Sequence, residues 1–289
     1  MTLLSASARI AGRLGLTVEA ATVDHHLRPE SGAEVGLVAR AAASLGVTHH
    51  VLSAPVSVHV AVEENAREVR YSVLEALRQA RGLEFVVTAH TASDQAETVL
   101  MRLSRGAALS GAAGILEHRG DHVIRPLLFA TREDVEAYVA ARGLEVARDA
   151  MNDDPTFLRV RVRKDVLPAL VAAAGPGTER SLARFARLAA EDDAWLEAEA
   201  QRSFARVQLA DGTLELEVFL ALGAPIARRV LARWLEGQGV ELDGALIDEA
   251  LRASRERSTA TLPGDRVLSC TNGRVKILPA PARLHATSS

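Results

Sequence analysis

The first half of this 289-residue chain alternates two kinds of segment, and that alternation constrains the fold more than any other feature. Short β-branched or apolar runs at 17–23, 49–52 and 85–89 are separated by stretches of helical periodicity at 29–45, 65–81 and 94–105. This is the rhythm of βαβ units, so it predicts an α/β fold with a parallel sheet, since parallel strands need helical crossovers. Residues 1–14 read as one more crossover helix, with Leu3, Leu4, Ile10, Ala11 and Leu14 as its apolar stripe. No strand precedes it, so the chain reads as starting inside a supersecondary unit.

Beyond Arg125-Pro126-Leu127-Leu128, a helix is expected over 131–142, with Thr131 as its N-cap, Asp134 three residues on, and Gly143 as its C-terminal stop. The α/β domain is expected to occupy 1–171. Glycine and proline in 172–177 break a helix arriving from either side and mark a linker. A mainly helical domain over 178–280 should follow, with helices at 178–205, 225–238 and 243–254, then a hairpin over 259–278 turning at Asn272-Gly273. Residues 281–289 read as a loose tail.

Composition narrows the class. Hydrophobic residues at 48% and charged residues at 25% exclude disorder, collagen-like repeats and disulfide scaffolds. A net charge of −3 argues against a general nucleic-acid coat or a membrane-surface protein, so any nucleic-acid contact should be local. Cys270 is alone and the nine histidines lack metal-ligand spacing. Without a basic n-region or a bilayer-length apolar run, the natural expectation is a cytoplasmic protein with no membrane partner.

Four constellations could carry chemistry. Asp24 and His25 stand at the C-terminal end of the first predicted strand, where open α/β sheets bind ligands, although a polar loop start explains the pair equally well. His90, Asp94 and Glu97 follow the third strand. Carboxylates and a histidine there could hold Mg²⁺ on nucleotide phosphates, whereas Asp94 and Glu97, three residues apart, also resemble a helix-capping pair. Arg67 and Arg70 share neighbouring turns of one helix with Glu63 and Glu64, which surface ion pairs would explain as well. Finally, the polar run from Asp149 to Pro155 feeds Arg159, Arg161, Arg163 and Lys164, a stretch suited to phosphate or to simple solvation.

In order, the motifs V-D-H-x-L-R-P-E-S, E-x-x-A-R-x-x-R-Y, T-A-H-x-x-x-D-Q-A-E-T, R-P-L-L, D-x-x-N-D-D and R-x-R-x-R resemble the bacterial tRNA(Ile)-lysidine synthetases from Val23 to about Leu170. The resemblance implies a Rossmann-like sheet of the adenine nucleotide alpha hydrolase type, followed by a helical tRNA-binding domain. It implies a carbon–nitrogen ligase that uses ATP and Mg²⁺ to adenylate the wobble cytidine of tRNA(Ile) with a CAU anticodon, after which free L-lysine displaces AMP. A homodimer is compatible with it. Carried over residue by residue, it implies Asp94, Glu97 and His90 at the reacting centre, with Asp94 also toward Mg²⁺. Asp24, His25, Arg67 and Arg70 would lie on the ATP side, and Arg125, Arg159, Arg161, Arg163 and Lys164 on the tRNA side.

The chain departs from the family pattern in three places. The family's apolar first strand and S-G-G-x-D-S phosphate loop are absent from the sequence, so a longer natural polypeptide is expected, with a tRNA-binding relic as the alternative. The family's H-H-x-D-D-Q reads His90-Thr91-Ala92-Ser93-Asp94-Gln95, and Val160 replaces the asparagine of R-N-R-I-R. A tRNA thiolase of the same superfamily would want active-site cysteines, which Cys270 in the terminal hairpin does not supply.

Overall fold

The computed structural model describes residues 1–24, 31–54, 62–147 and 154–280, and divides into two compact units, Met1–Ala190 and Glu191–Ser289. In the first unit, α1 (Thr2–Leu14) ends at Gly15, whose φ of 64° makes the left-handed turn that glycine accepts without strain. β1 (Glu19–Asp24) and β2 (Thr48–Ser53) pair in parallel with α2 (Ser31–Ser44) as their crossover. Then come α3 (Val62–Ala80), the short β3 (Val86–Val87) and α4 (Ala92–Leu103). The brief α5 (Leu109–Ala112) leads to β4 (His118–Arg119), β5 (Val123–Ile124) and α6 (Arg132–Arg142).

The expected parallel pairing is present, but not as one continuous sheet. β1 pairs with β2, while β3 pairs in parallel with β5 and β4 runs antiparallel on the far side of β5. Among the described residues no strand joins β1 to β3, and Val87 remains 41% exposed. A second correction concerns α1. Its expected stripe is buried only in part: Ala11 is buried and Leu3 and Leu4 are half-buried, but Ile10 and Leu14 are 49% and 63% exposed, and the polar Thr2 and Ser5 take their place. Small side chains let α6 approach closely, and the Ser5 hydroxyl lies 3.2 Å from the Tyr138 hydroxyl.

α7 (Leu158–Arg161) runs through a π-helical segment, Val162–Val166, into α8 (Leu167–Ala174), which stops at Gly175. The long α9 (Thr178–Val207) begins in the first unit and ends in the second, so the division falls inside a helix rather than at the glycine–proline break.

The second unit adds β6 (Leu214–Glu215), α10 (Leu216–Leu220), α11 (Ala224–Gly237) and α12 (Gly244–Arg255), the last capped by Asp243. Its apolar core centres on Val230, Leu231, Trp234, Leu235, Leu268 and Val275. The Trp234 indole N–H is satisfied by the Gly212 carbonyl at 2.8 Å. The terminal hairpin proves to be part of a four-stranded antiparallel sheet, ordered β6-β9-β8-β7 with β7 Thr259–Leu262, β8 Arg266–Thr271 and β9 Arg274–Pro279. Asn272 and Gly273, with φ of 54° and 69°, make the tight turn between β8 and β9. A second turn, at Pro263-Gly264-Asp265, separates β7 from β8.

Candidate functional site

The site grows from the start of α4. Thr91 is the N-cap: its hydroxyl oxygen accepts from the Asp94 N–H at 3.2 Å, and Asp94 Oδ2 accepts from the Thr91 N–H and hydroxyl, both at 2.8 Å. The capping pair is therefore Thr91 and Asp94, not Asp94 and Glu97, and Glu97 is released for another task. One turn further along, its carboxylate is fully buried and ringed by guanidiniums. Arg163 donates to both of its oxygens at 2.7 and 3.0 Å, Arg159 Nε donates at 2.9 Å and Arg132 at 3.3 Å. Arg159 reaches on with Nη2 to Asp94 Oδ1 at 3.0 Å, tying the two carboxylates together.

Burial alone would push both carboxyls up. For Glu97 the bonds from Arg163 and Arg159 outweigh it, and for Asp94 those from Thr91 do, with the Arg159 charge adding to them. Both stay below their usual values and are anionic at neutral pH. His90 goes the other way: burial lowers it to about 4, Asp94 opposes the shift, and the charges of Arg125, Arg159 and Arg67 reinforce it. At neutral pH it is an uncharged imidazole whose Nδ1 lies 3.0 Å from the Thr88 hydroxyl.

Two neighbours of Asp94 hold the scaffold. The Ser93 hydroxyl donates to Glu179 on α9 and accepts from the Arg132 N–H at 2.9 Å. Gln95 clamps the loop beyond α5, accepting from the Ile115 N–H at 2.6 Å and donating to the Ile115 carbonyl at 2.9 Å. Gly114 faces this amide with φ of 63°, and a Cβ there would sit 2.5 Å from Gln95 Oε1, so only glycine fits.

The other expected residues divide. Asp24 ends β1, half-buried, while His25 and the Asp149–Asp153 part of the polar run lie outside the described residues. Arg67 and Arg70 are exposed on α3, and the Arg67 guanidinium sits 5.5 Å from the Tyr71 ring centroid. Arg125, expected to meet tRNA, is instead an interior side chain at 1% exposure, donating to the Leu116 carbonyl at 2.5 Å and approaching the Tyr71 hydroxyl at 3.4 Å. Buried behind the β5 loop, it cannot reach a polyanion at the surface. Of the basic run, Arg159 and Arg163 turn inward to Glu97, whereas Arg161 and Lys164 are exposed, Arg161 binding the Pro155 and Thr156 carbonyls at 3.1 Å each.

Asp94 and Glu97 already carry arginine or capping bonds, and no group of three or more metal-binding side chains occurs among the described residues. Among the described residues, therefore, the protein alone forms no metal cage. Three arginines face two carboxylates, which leaves the cluster with a surplus of positive charge suited to a phosphate.

A sequence profile of the PP-loop domain matches residues 1–170. A tRNA(Ile)-lysidine synthase of Salinispora arenicola is 37% identical, covering 97% of this chain and 88% of its own length. The chain belongs to that family. A tRNA(Ile)-lysidine synthase of Rhodopseudomonas palustris is likewise 37% identical, over 97% of this chain and 86% of the relative. The fold is also that of a U34-tRNA thiolase, NcsA of Methanococcus maripaludis, at a TM-score of 0.53, 16% identity and coverage of 65% of this chain and 67% of that one. Membership makes the chain an ATP-using ligase and fits the basic, phosphate-suited surroundings of His90. Cys270 is buried in β8, where desolvation raises its thiol pKa, unlike a reactive thiolate. No helix among the described residues is long and apolar enough to cross a membrane.

Several members of this site carried no sequence signal. Arg132 looked like an ordinary residue after a cap, and Glu179 lies 86 residues from the Ser93 it binds. The four-residue spacing of Arg159 and Arg163 was the one available hint that both share a helix face.

Proposed function

We propose that this protein ligates L-lysine to C2 of the wobble cytidine of tRNA(Ile) bearing a CAU anticodon, through an adenylated intermediate. The cytidine O2 attacks the α-phosphorus of ATP and pyrophosphate leaves. The deprotonated lysine amine then attacks C2, the C2–O bond breaks and AMP departs. The observation that carries this reading is the buried Asp94–Glu97–arginine cluster one turn from a neutral His90, in a chain of this family.

In this reading Asp94, Glu97 and His90 line the reacting centre. Arginine-held carboxylates keep a fixed geometry, and a neutral His90 accepts or donates a hydrogen bond without adding charge. Asp24, His25, Arg67 and Arg70 face the nucleotide, and Mg²⁺ arrives with its phosphates rather than on a preformed site. The tRNA backbone falls to Arg161 and Lys164, while Arg159, Arg163 and Arg125 serve it from behind by holding the scaffold. The helical second unit belongs to tRNA, and the reaction to the cytoplasm.

The test is Asp94→Ala, assayed for ATP–pyrophosphate exchange and for tRNA retention. Exchange should be lost and retention kept, and continued turnover would sink the assignment. Unaltered protein that retains tRNA but never releases AMP would instead point to the tRNA-binding relic.

A further inference from the structure

Tyr71 gathers three guanidiniums. Arg119 lies 4.3 Å and Arg67 5.5 Å from its ring centroid, both within cation–π range, while Arg125 approaches its hydroxyl at 3.4 Å. Their supports differ. Arg119 is paired with Asp121. Arg125 is buried with its Nε unbonded and, among the described residues, makes no ion pair with a carboxylate, so its bonds to Tyr71 and Leu116 are what fix it. Arg67 is exposed, and the Tyr71 ring, one turn along α3, is the one restraint on its head among the interactions described. The charge of Arg67 also adds to the lowering of the His90 pKa.

We propose that Tyr71 is a positioning residue whose ring, held by Arg119, keeps the Arg67 guanidinium ready for a nucleotide phosphate. The proposal rests on the reading above that Arg67 meets ATP. The physical ground is preorganisation: a free arginine must surrender rotamer freedom on binding, and a stacked one has surrendered part of it beforehand.

The experiment is a double-mutant cycle on equilibrium ATP binding, with Tyr71→Leu, Arg67→Ala and the combination. Tyr71→Leu should weaken ATP about three- to tenfold, the range of one cation–π contact. Tyr71→Phe, which keeps the ring, should stay within about twofold of the parent. In the Arg67→Ala background Tyr71→Leu should add nothing, and the KM for lysine should not move in either single variant. A Tyr71→Leu effect that persists undiminished without Arg67 would reduce Tyr71 to a structural residue and overturn the proposal, as would a Tyr71→Phe as impaired as Tyr71→Leu. If Tyr71→Leu fails to fold, Arg67→Lys serves: it keeps the charge but not the planar stack, so parental ATP affinity there overturns the proposal too. An Arg67→Ala protein that binds ATP normally would fail the underlying reading of Arg67, a result distinct from the failure of the cycle.

Discussion

α4 and α6 begin with the same device. Thr91 with Asp94 and Thr131 with Asp134 make reciprocal capping bonds of identical length, 2.8, 2.8 and 3.2 Å. What surrounds them differs. The Asp94 side chain is 19% exposed and shares Arg159 with a wholly buried Glu97, whereas Asp134 is 45% exposed and meets Arg180, itself 59% exposed. Three residues past Asp94 stands Glu97, and three past Asp134 stands Ala137. A local motif therefore sets where a helix starts, and the next turn together with a distant arginine stretch decides whether that start can do chemistry.

The sharpest way to break this contrast is Glu97→Gln. It removes the charge that three guanidiniums share in the interior, and breaking such a buried set costs about 3–5 kcal/mol, read as a drop in the urea midpoint. A loss under about 1 kcal/mol would mean that the arginines reorganise freely and that the cluster is not the keystone of the first unit. Next comes the paired substitution Asp94→Asn and Asp134→Asn. Both loosen a helix start, but only the first should reduce turnover, on the order of a hundredfold, by removing a fixed charge beside the reacting centre. Equal loss in both would erase the distinction drawn here.

Much of this was legible because it is local. The alternation of strand and helix, the Thr131–Asp134–Gly143 helix and the Asn272-Gly273 turn depend on residues within a few positions of one another, and each formed where its chemistry required. That Asp94, Glu97 and His90 lie close together follows from their spacing, but their wiring does not. The capping partner of Asp94 stands three residues before it rather than three after. The direction of Arg159 and Arg163, the interior fate of Arg125 and the small-residue face of α1 are set by what packs opposite, which no local pattern encodes. The depressed His90 is of the same kind, since the charges of Arg125 and Arg159 that add to its desolvation come from elements far along the chain.

Ser93 sharpens the comparison from the other side. The family pattern has aspartate at this position, but here the hydroxyl donates to Glu179, so Ser93→Asp would replace a donor by a second anion against the same carboxylate. A buried hydrogen bond exchanged for an unpaired acceptor should cost about 1–3 kcal/mol. Glu179→Gln in the same protein should recover most of it, because an amide can donate to the new aspartate. If the double variant is no more stable than Ser93→Asp alone, the two residues are not coupled and the substitution in the motif has no partner on α9.

The smallest effect is a shape rather than a loss. His90 titrates near 4 in the folded chain and near its usual 6.5 when unfolded, so between those values the unfolded state holds more protons and stability falls as the pH is lowered. Asp94 and Glu97 are depressed, so their contribution is complete above the ordinary carboxylate range and is lost only as the pH drops through their folded values. The site should thus weaken in two stages on acidification, the histidine first and the carboxylates after. His90→Gln should remove the first stage and keep the second, measured as urea midpoints from pH 7 down to about pH 2. Asp134→Asn should leave the first stage untouched, since Thr131 and Arg180, not a histidine, set the charge state of Asp134. Parallel pH profiles for the parent and His90→Gln would show that His90 is solvated in the folded protein, and the electrostatic difference between the two helix starts would then rest on Glu97 alone.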